Sequence, residues 1–253
     1  NCAFKNAKQS PISITDNSGE SGNSLVLFNY NVIESIKNVN NGFLYISKLH
    51  QLNFDHNVIK NCIFNGYSCQ IDLPYSDQFT LMNLTLSNCQ SNCQTGGGLG
   101  LLLTFKNREG QLALLNCSFN DNFADQNNMG GNGGAFASGN ETNAKMELEI
   151  EGCSFNNNKA YYCGGALSLQ STQQIVINDC KFTKNKAERG GGGAIYIHPK
   201  DYGIYGGNNL GIMPNITISG CSFISNFDPL NFGHAIFFKD YPNSETKLII
   251  ENN

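Results

Sequence analysis

The sequence predicts an all-β protein, a right-handed parallel β-helix of about eight coils, and three observations carry that expectation. A short motif recurs along the chain, its closest copies stand 27 or 28 residues apart, and no segment shows the apolar spacing of an amphipathic helix. A period that short is too small for a strand-helix-strand unit with its loops. It does fit one coil of short strands and bends, in which each strand pairs with its counterpart about 4.8 Å away in the next coil. Eight such coils make a rod on the order of 40 Å long.

The motif reads apolar-x-apolar-x-x-Cys-x-Phe-x-x-Asn and occupies residues 112–122, 148–158, 175–185 and 216–226. Weaker copies surround Cys62 with Phe64 and Cys89 with Ser91, and Tyr30 with Val32 fills the same slots in a degenerate copy. The repeated position is therefore expected at 2, 30, 62, 89, 117, 153, 180, 221 and 253. Alternation turns the apolar residues before each Cys inward, with the Cys continuing the series. A core ladder is expected from Cys62, Cys89, Cys117, Cys153, Cys180 and Cys221. Beside it, Phe64, Phe119, Phe155, Phe182 and Phe223 should form an aromatic column, where stacked pairs add about 0.5–1.5 kcal/mol each. Asn precedes the repeated position at Asn1, Asn29, Asn61, Asn88, Asn116 and Asn252, which suggests an amide ladder.

A second block follows about ten residues later in each period. It reads Gly133-Gly134-Ala135, Gly164-Gly165-Ala166, Gly192-Gly193-Ala194 and Gly233-His234-Ala235. Small residues there imply a tight turn or a close backbone approach, and His234 stands as a structural replacement of Gly. The whole of residues 1–253 is expected to be a single β-helix segment, part of a longer chain or of an end-to-end assembly.

Composition excludes several function classes. A net charge of −4 with only two arginines argues against nucleic acid as a partner. No apolar run is long enough to cross a membrane as a helix. Ten cysteines point to an oxidising compartment, and Cys69 with Cys93, lying between the repeated blocks of successive coils, is the expected disulfide. Four sequons point the same way. Asn83, Asn140 and Asn215 are the expected glycan acceptors, whereas Asn116 falls in the suggested amide ladder and should stay bare.

The pairing of Gly193-Ala194-Ile195 with Phe-x-x-Asn at Phe119, Phe155, Phe182 and Phe223 resembles the repeats of chlamydial polymorphic membrane proteins. It is also similar to pectin-lyase-like repeats in surface proteins of ciliates and other protists. The resemblance implies a β-helix displayed at a cell surface and used for adhesion or structure.

The expected function is that of an extracellular or surface β-helical glycoprotein, a coat or filament component with no cofactor. Its partners would be further coils, other copies of itself, and cell-surface glycans. One alternative is a glycan-binding module using the long loops near residues 127–132 and 202–211, with Tyr202 and Tyr205 as stacking platforms. The other is a polysaccharide lyase or glycoside hydrolase, which would need clustered carboxylates. No catalytic or metal-binding set is expected here: the four histidines are scattered, and Asp121 and Asp125 match no calcium-loop spacing.

Overall fold

The computed structural model describes all residues except 1, 6–11, 16–23, 40–42, 65–67, 75, 77, 92–98, 100, 106–108, 126–130, 139–144, 171, 199–214 and 240–246. Among the described residues there is no helix, and every strand pairing is parallel. Each pass of the chain adds one strand to each of several sheets, so neighbours within a sheet come from successive passes.

One eight-stranded sheet contains Leu25–Asn29, Gln51–Asp55, Gln78–Met82, Glu109–Leu115, Lys145–Glu151, Thr172–Asn178, Asn215–Ser219 and Lys247–Glu251. A second contains Ala3–Lys5, Val32–Glu34, Val58–Lys60, Thr85–Ser87, Ser118–Asn120, Ser154–Asn156, Lys181–Thr183 and Ser222–Ile224. A six-stranded sheet of two- and three-residue strands follows, from Lys37–Val39 to Lys186–Ala187. The return side differs along the molecule. Early passes use Ile12–Thr15, Leu44–Ser47, Cys69–Leu73 and Leu101–Phe105, and later ones use Phe136–Ser138, Leu167–Gln170, Ile195–His198 and Ile236–Phe238.

Two sharp corners separate the first three strands of a pass, and each is made by a single residue with positive φ. At the first corner these are Tyr30, His56, Asn83, Asn116, Gly152, Asp179 and Gly220, with φ between 50° and 62°. At the second they are Ser35, Asn61, Asn88, Asp121, Asn157, Lys184 and Ser225. Asn and Asp tolerate this left-handed conformation better than other residues with a Cβ, which gives the abundant Asn of the chain a backbone role.

The Gly-Gly-Ala block has two distinct requirements. Its first glycine turns the chain at positive φ, 67° at Gly164 and 75° at Gly192. The second supports close stacking: a Cβ on Gly165 would stand 2.1 Å from the Gly193 carbonyl oxygen of the next pass, and one on Gly193 would stand 2.0 Å from that of His234. His234 aligns with Gly193 in this register, and its side chain points into the space where a further pass would bring its backbone. There it stacks on Phe227 at 5.6 Å and accepts a hydrogen bond from the Asp228 amide at 3.2 Å.

A single apolar core fills the interior from Phe28 to Cys221. Along Lys145–Glu151, Met146, Leu148 and Ile150 are buried while Glu147 and Glu151 are exposed, the alternation of a strand with one covered face.

Candidate functional site: the ladders at the two corners

Immediately after each corner residue comes one that stacks on its counterparts in neighbouring passes, with its side chain buried along most of each column. Behind the first corner this column is Cys2, Asn31, Asn57, Leu84, Cys117, Cys153, Cys180, Cys221 and Asn253. Behind the second it is Ile36, Cys62, Cys89, Asn122, Asn158, Asn185 and Asn226. Cys117, Cys153, Cys180 and Cys221 thus share one register. The expected repeat positions 30, 62 and 89 do not, because Cys62 and Cys89 stand five residues later in the pass, behind the other corner.

The two corners are chemically alike. Each places a small inward residue after the bend and a second inward residue two positions on, so Cys-x-Phe fits either one. In the later passes the aromatic sits on the second eight-stranded sheet: Phe119, Phe155, Phe182 and Phe223 stack with centroids 5.0, 4.8 and 5.0 Å apart and planes within 4° of parallel. Upstream, that column continues as Leu86, Ile59 and Ile33. Phe64 belongs to the next sheet, where it pairs with Ser91 and then Ala124, Ala160 and Ala187, and its ring meets Phe43 at 5.9 Å. Volume accounts for the exchange: a pass with Ile59 takes Phe64, and one with Phe119 takes Ala124.

The main amide ladder is the Asn of Phe-x-x-Asn and not, as expected, the Asn before the Cys. Asn122, Asn158 and Asn185 are buried, at 1% exposure or less. The Asn158 side chain donates to the Phe119 carbonyl at 2.9 Å and to Asn185 Oδ1 at 3.0 Å. Asn158 Oδ1 accepts from the backbone and side-chain nitrogens of Asn122 at 3.2 and 2.9 Å. Asn185 repeats the pattern with Phe155 and Asn226. These bonds satisfy backbone groups at a bend where the sheet ladder is interrupted. Of the expected ladder at the preceding Asn, an Asn88 to Asn61 bond of 2.8 Å lies outside the core, at the second corner.

Cysteine takes the same place in weaker form. The Cys117 amide donates to the Cys153 sulfur at 3.2 Å, and the Cys153 thiol donates to the Leu114 carbonyl at 3.3 Å. Cys117 and Cys180 are held above the ordinary thiol range by the neighbouring thiols of the column, and burial adds to this. Cys69 is a free thiol buried in the return sheet between Leu44 and Leu101, and burial pushes its pKa up to about 12. Its suggested partner Cys93 lies outside the described residues.

The sequons also sort differently. Asn83 and Asn116 occupy the same first-corner position, so they do not separate into outward and occupied sites. Asn83 is the one engaged, its Nδ2 donating to Asp55 Oδ1 at 2.8 Å, whereas Asn116 is exposed. Asn215 begins a strand with its side chain exposed, and Asn140 lies outside the described residues. The loops carrying Tyr202 and Tyr205, and most of residues 127–132, are likewise outside them.

His56 pairs with Asp55 at 2.7 Å and stacks on Tyr30, while the Arg189 guanidinium covers the Tyr161 ring at 4.7 Å. Among the described residues, no group of three or more His, Cys, Asp or Glu is placed to hold a metal ion.

The Chlamydia polymorphic membrane protein repeat matches residues 152–170 and 179–198. Both segments run from a first-corner residue, Gly152 or Asp179, through the inward Cys, Phe and Asn to the strand after the Gly-Gly-Ala turn. No curated protein and no solved structure matches the chain.

Proposed function

We propose that the passes are coils of a right-handed parallel β-helix, about eight of them, and that this rod acts at a cell surface as a structural or adhesive protein without catalytic activity. The observation that carries this reading is the repeat match itself. Its residues coincide with the ladders and turns that make one coil stack on the next, so what the chain shares with the polymorphic membrane protein repeat is the machinery of stacking. In keeping with a mechanical role, the histidines and acids described above engage in local packing and ion pairs.

Copies or further coils would meet the rod through its eight-stranded sheets. In the last strand of the long sheet, Leu248 and Ile250 align with the buried Ile216 and Ile218 yet are 38% and 48% exposed. At the Gly-Gly corner His234 fills the space, so contact there would rest on the sheets alone. Asn215 is the described sequon best placed to carry a glycan.

Antibody labelling of intact cells tests the display: signal before permeabilisation is expected, and signal only afterwards would overturn it. Incubation with polygalacturonate and neutral polysaccharides tests the absence of catalysis, which turnover abolished by a point substitution would refute.

A further inference from the structure

A groove runs along the outside of the second corner across four passes and encloses about 410 Å³, within the range of ligand sites. Its lining repeats with the passes: Ser35, Asn61, Asn88 and Asp121 at the corner, and Lys37, Ile63, Gln90 and Phe123 beside them. We propose that it binds a neutral glycan in extended conformation.

Three features select that ligand. The groove presents donors and acceptors together. Asn88 donates to Asn61 Oδ1 at 2.8 Å, leaving the Asn61 amide nitrogen and the Asn88 amide oxygen without a partner among the described residues. Hydroxyl groups answer both, since each donates and accepts. Second, Ile63 and Phe123 are half-buried and offer apolar contact to the C–H face of a sugar ring, with the Lys159 ammonium packed over Phe123 at 5.0 Å. Third, the lining amides repeat at the strand spacing of about 4.8 Å, comparable to the advance per residue of an extended glycan.

Other ligand classes fit less well. A peptide strand needs a free sheet edge. Here the corner amides of Ser35, Asn61, Asn88 and Asp121 all bond to carbonyls of the next pass, at 2.9–3.1 Å. A polyanion would face the Asp121 carboxylate, with Lys37 the one cation in the lining. The inference holds wherever the protein is displayed.

The test is binding of the purified chain to immobilised hydroxyethylcellulose, galactomannan and glucomannan, with polygalacturonate alongside, at low and high salt. Binding to at least one neutral polymer, insensitive to salt, is expected. Asn61→Gly with Asn88→Gly removes both amides while easing the positive-φ backbone, and should weaken binding about ten-fold or more. Lys181→Ala, at an exposed strand position outside the groove, should leave it unchanged. If the double variant loses cooperative unfolding, Gln90→Ala, which touches neither corner, is read instead. Failure to bind any neutral polymer, salt-sensitive binding to polygalacturonate alone, or undiminished binding by the folded Asn61→Gly, Asn88→Gly double variant or by Gln90→Ala would overturn the proposal. None of these results bears on surface display.

Discussion

Cysteine and asparagine are interchangeable at the inward corner positions because both are short and both can accept a backbone N–H from the preceding pass. Each can also give a hydrogen to a carbonyl of that pass. Asn adds a second amide bond to the next rung and Cys gives only one weak bond, so Cys suits a place where packing supplies the rest. This is why ten cysteines need not mean disulfides: in the first-corner column the thiol serves as a small, weakly polar core residue. At Cys69 the consequence is measurable. Its folded pKa of about 12 exceeds the ordinary 9.0, so full stability holds below pH 9 and falls as pH rises from there toward 12. The full loss is about 4 kcal/mol, and a single pH unit above 9 costs about 1.4 kcal/mol. Urea titrations at pH 8 and pH 10 should show this decline, and Cys69→Val should reduce it by about 1 kcal/mol. An identical decline in the variant would place the alkaline sensitivity elsewhere.

At the scale of the element, the unit is the corner with its ladder rung. Asn158→Ala removes the side-chain bonds to the Phe119 carbonyl and to the Asn122 backbone nitrogen in the core, while Asn122 Nδ2 keeps the Leu86 carbonyl at 3.1 Å, a cost of about 2–3 kcal/mol in urea denaturation. Asn158→Cys should recover part of that loss, since cysteine fills the same column two passes earlier, at Cys89. Equal losses in both would show that amide geometry alone is required. The Gly-Gly turn permits a sharper contrast. A Cβ at Gly165 would overlap the Gly193 carbonyl and lie 2.4 Å from the Lys186 nitrogen, so Gly165→Ala must push two passes apart and should cost more than about 4 kcal/mol. His234→Gly, at the equivalent position, loses one hydrogen bond and a ring contact and should cost about 1 kcal/mol. Thermal unfolding of the two variants would expose any reversal.

For the whole molecule, the decisive feature is that each sheet grows by one strand per pass, so the strand at the end of a sheet presents a pairing edge. Leu248 and Ile250 are in the register of Ile216 and Ile218 but remain open to solvent, an arrangement that favours association. Ile250→Lys should lower the self-association seen by sedimentation velocity at high protein concentration, with little effect on stability because the site is already half-exposed. No change in sedimentation would mean that copies do not meet at this edge.

Between sequence and structure, the division follows from what repeats. The all-β class, the parallel stacking of strands, the shared register of Cys117, Cys153, Cys180 and Cys221, and the tight turns at Gly-Gly-Ala were legible in the sequence because each imposes the same residue type at the same interval. Which corner Cys62, Cys89 and Phe64 occupy was not, since both corners accept the same short pattern. The identity of the buried Asn ladder, and the likeness of Asn83 to Asn116, were hidden for the same reason. Only the tertiary structure could decide them, because parallel pairing sets register through backbone bonds between residues some 25 to 42 positions apart, and these are blind to the local motif.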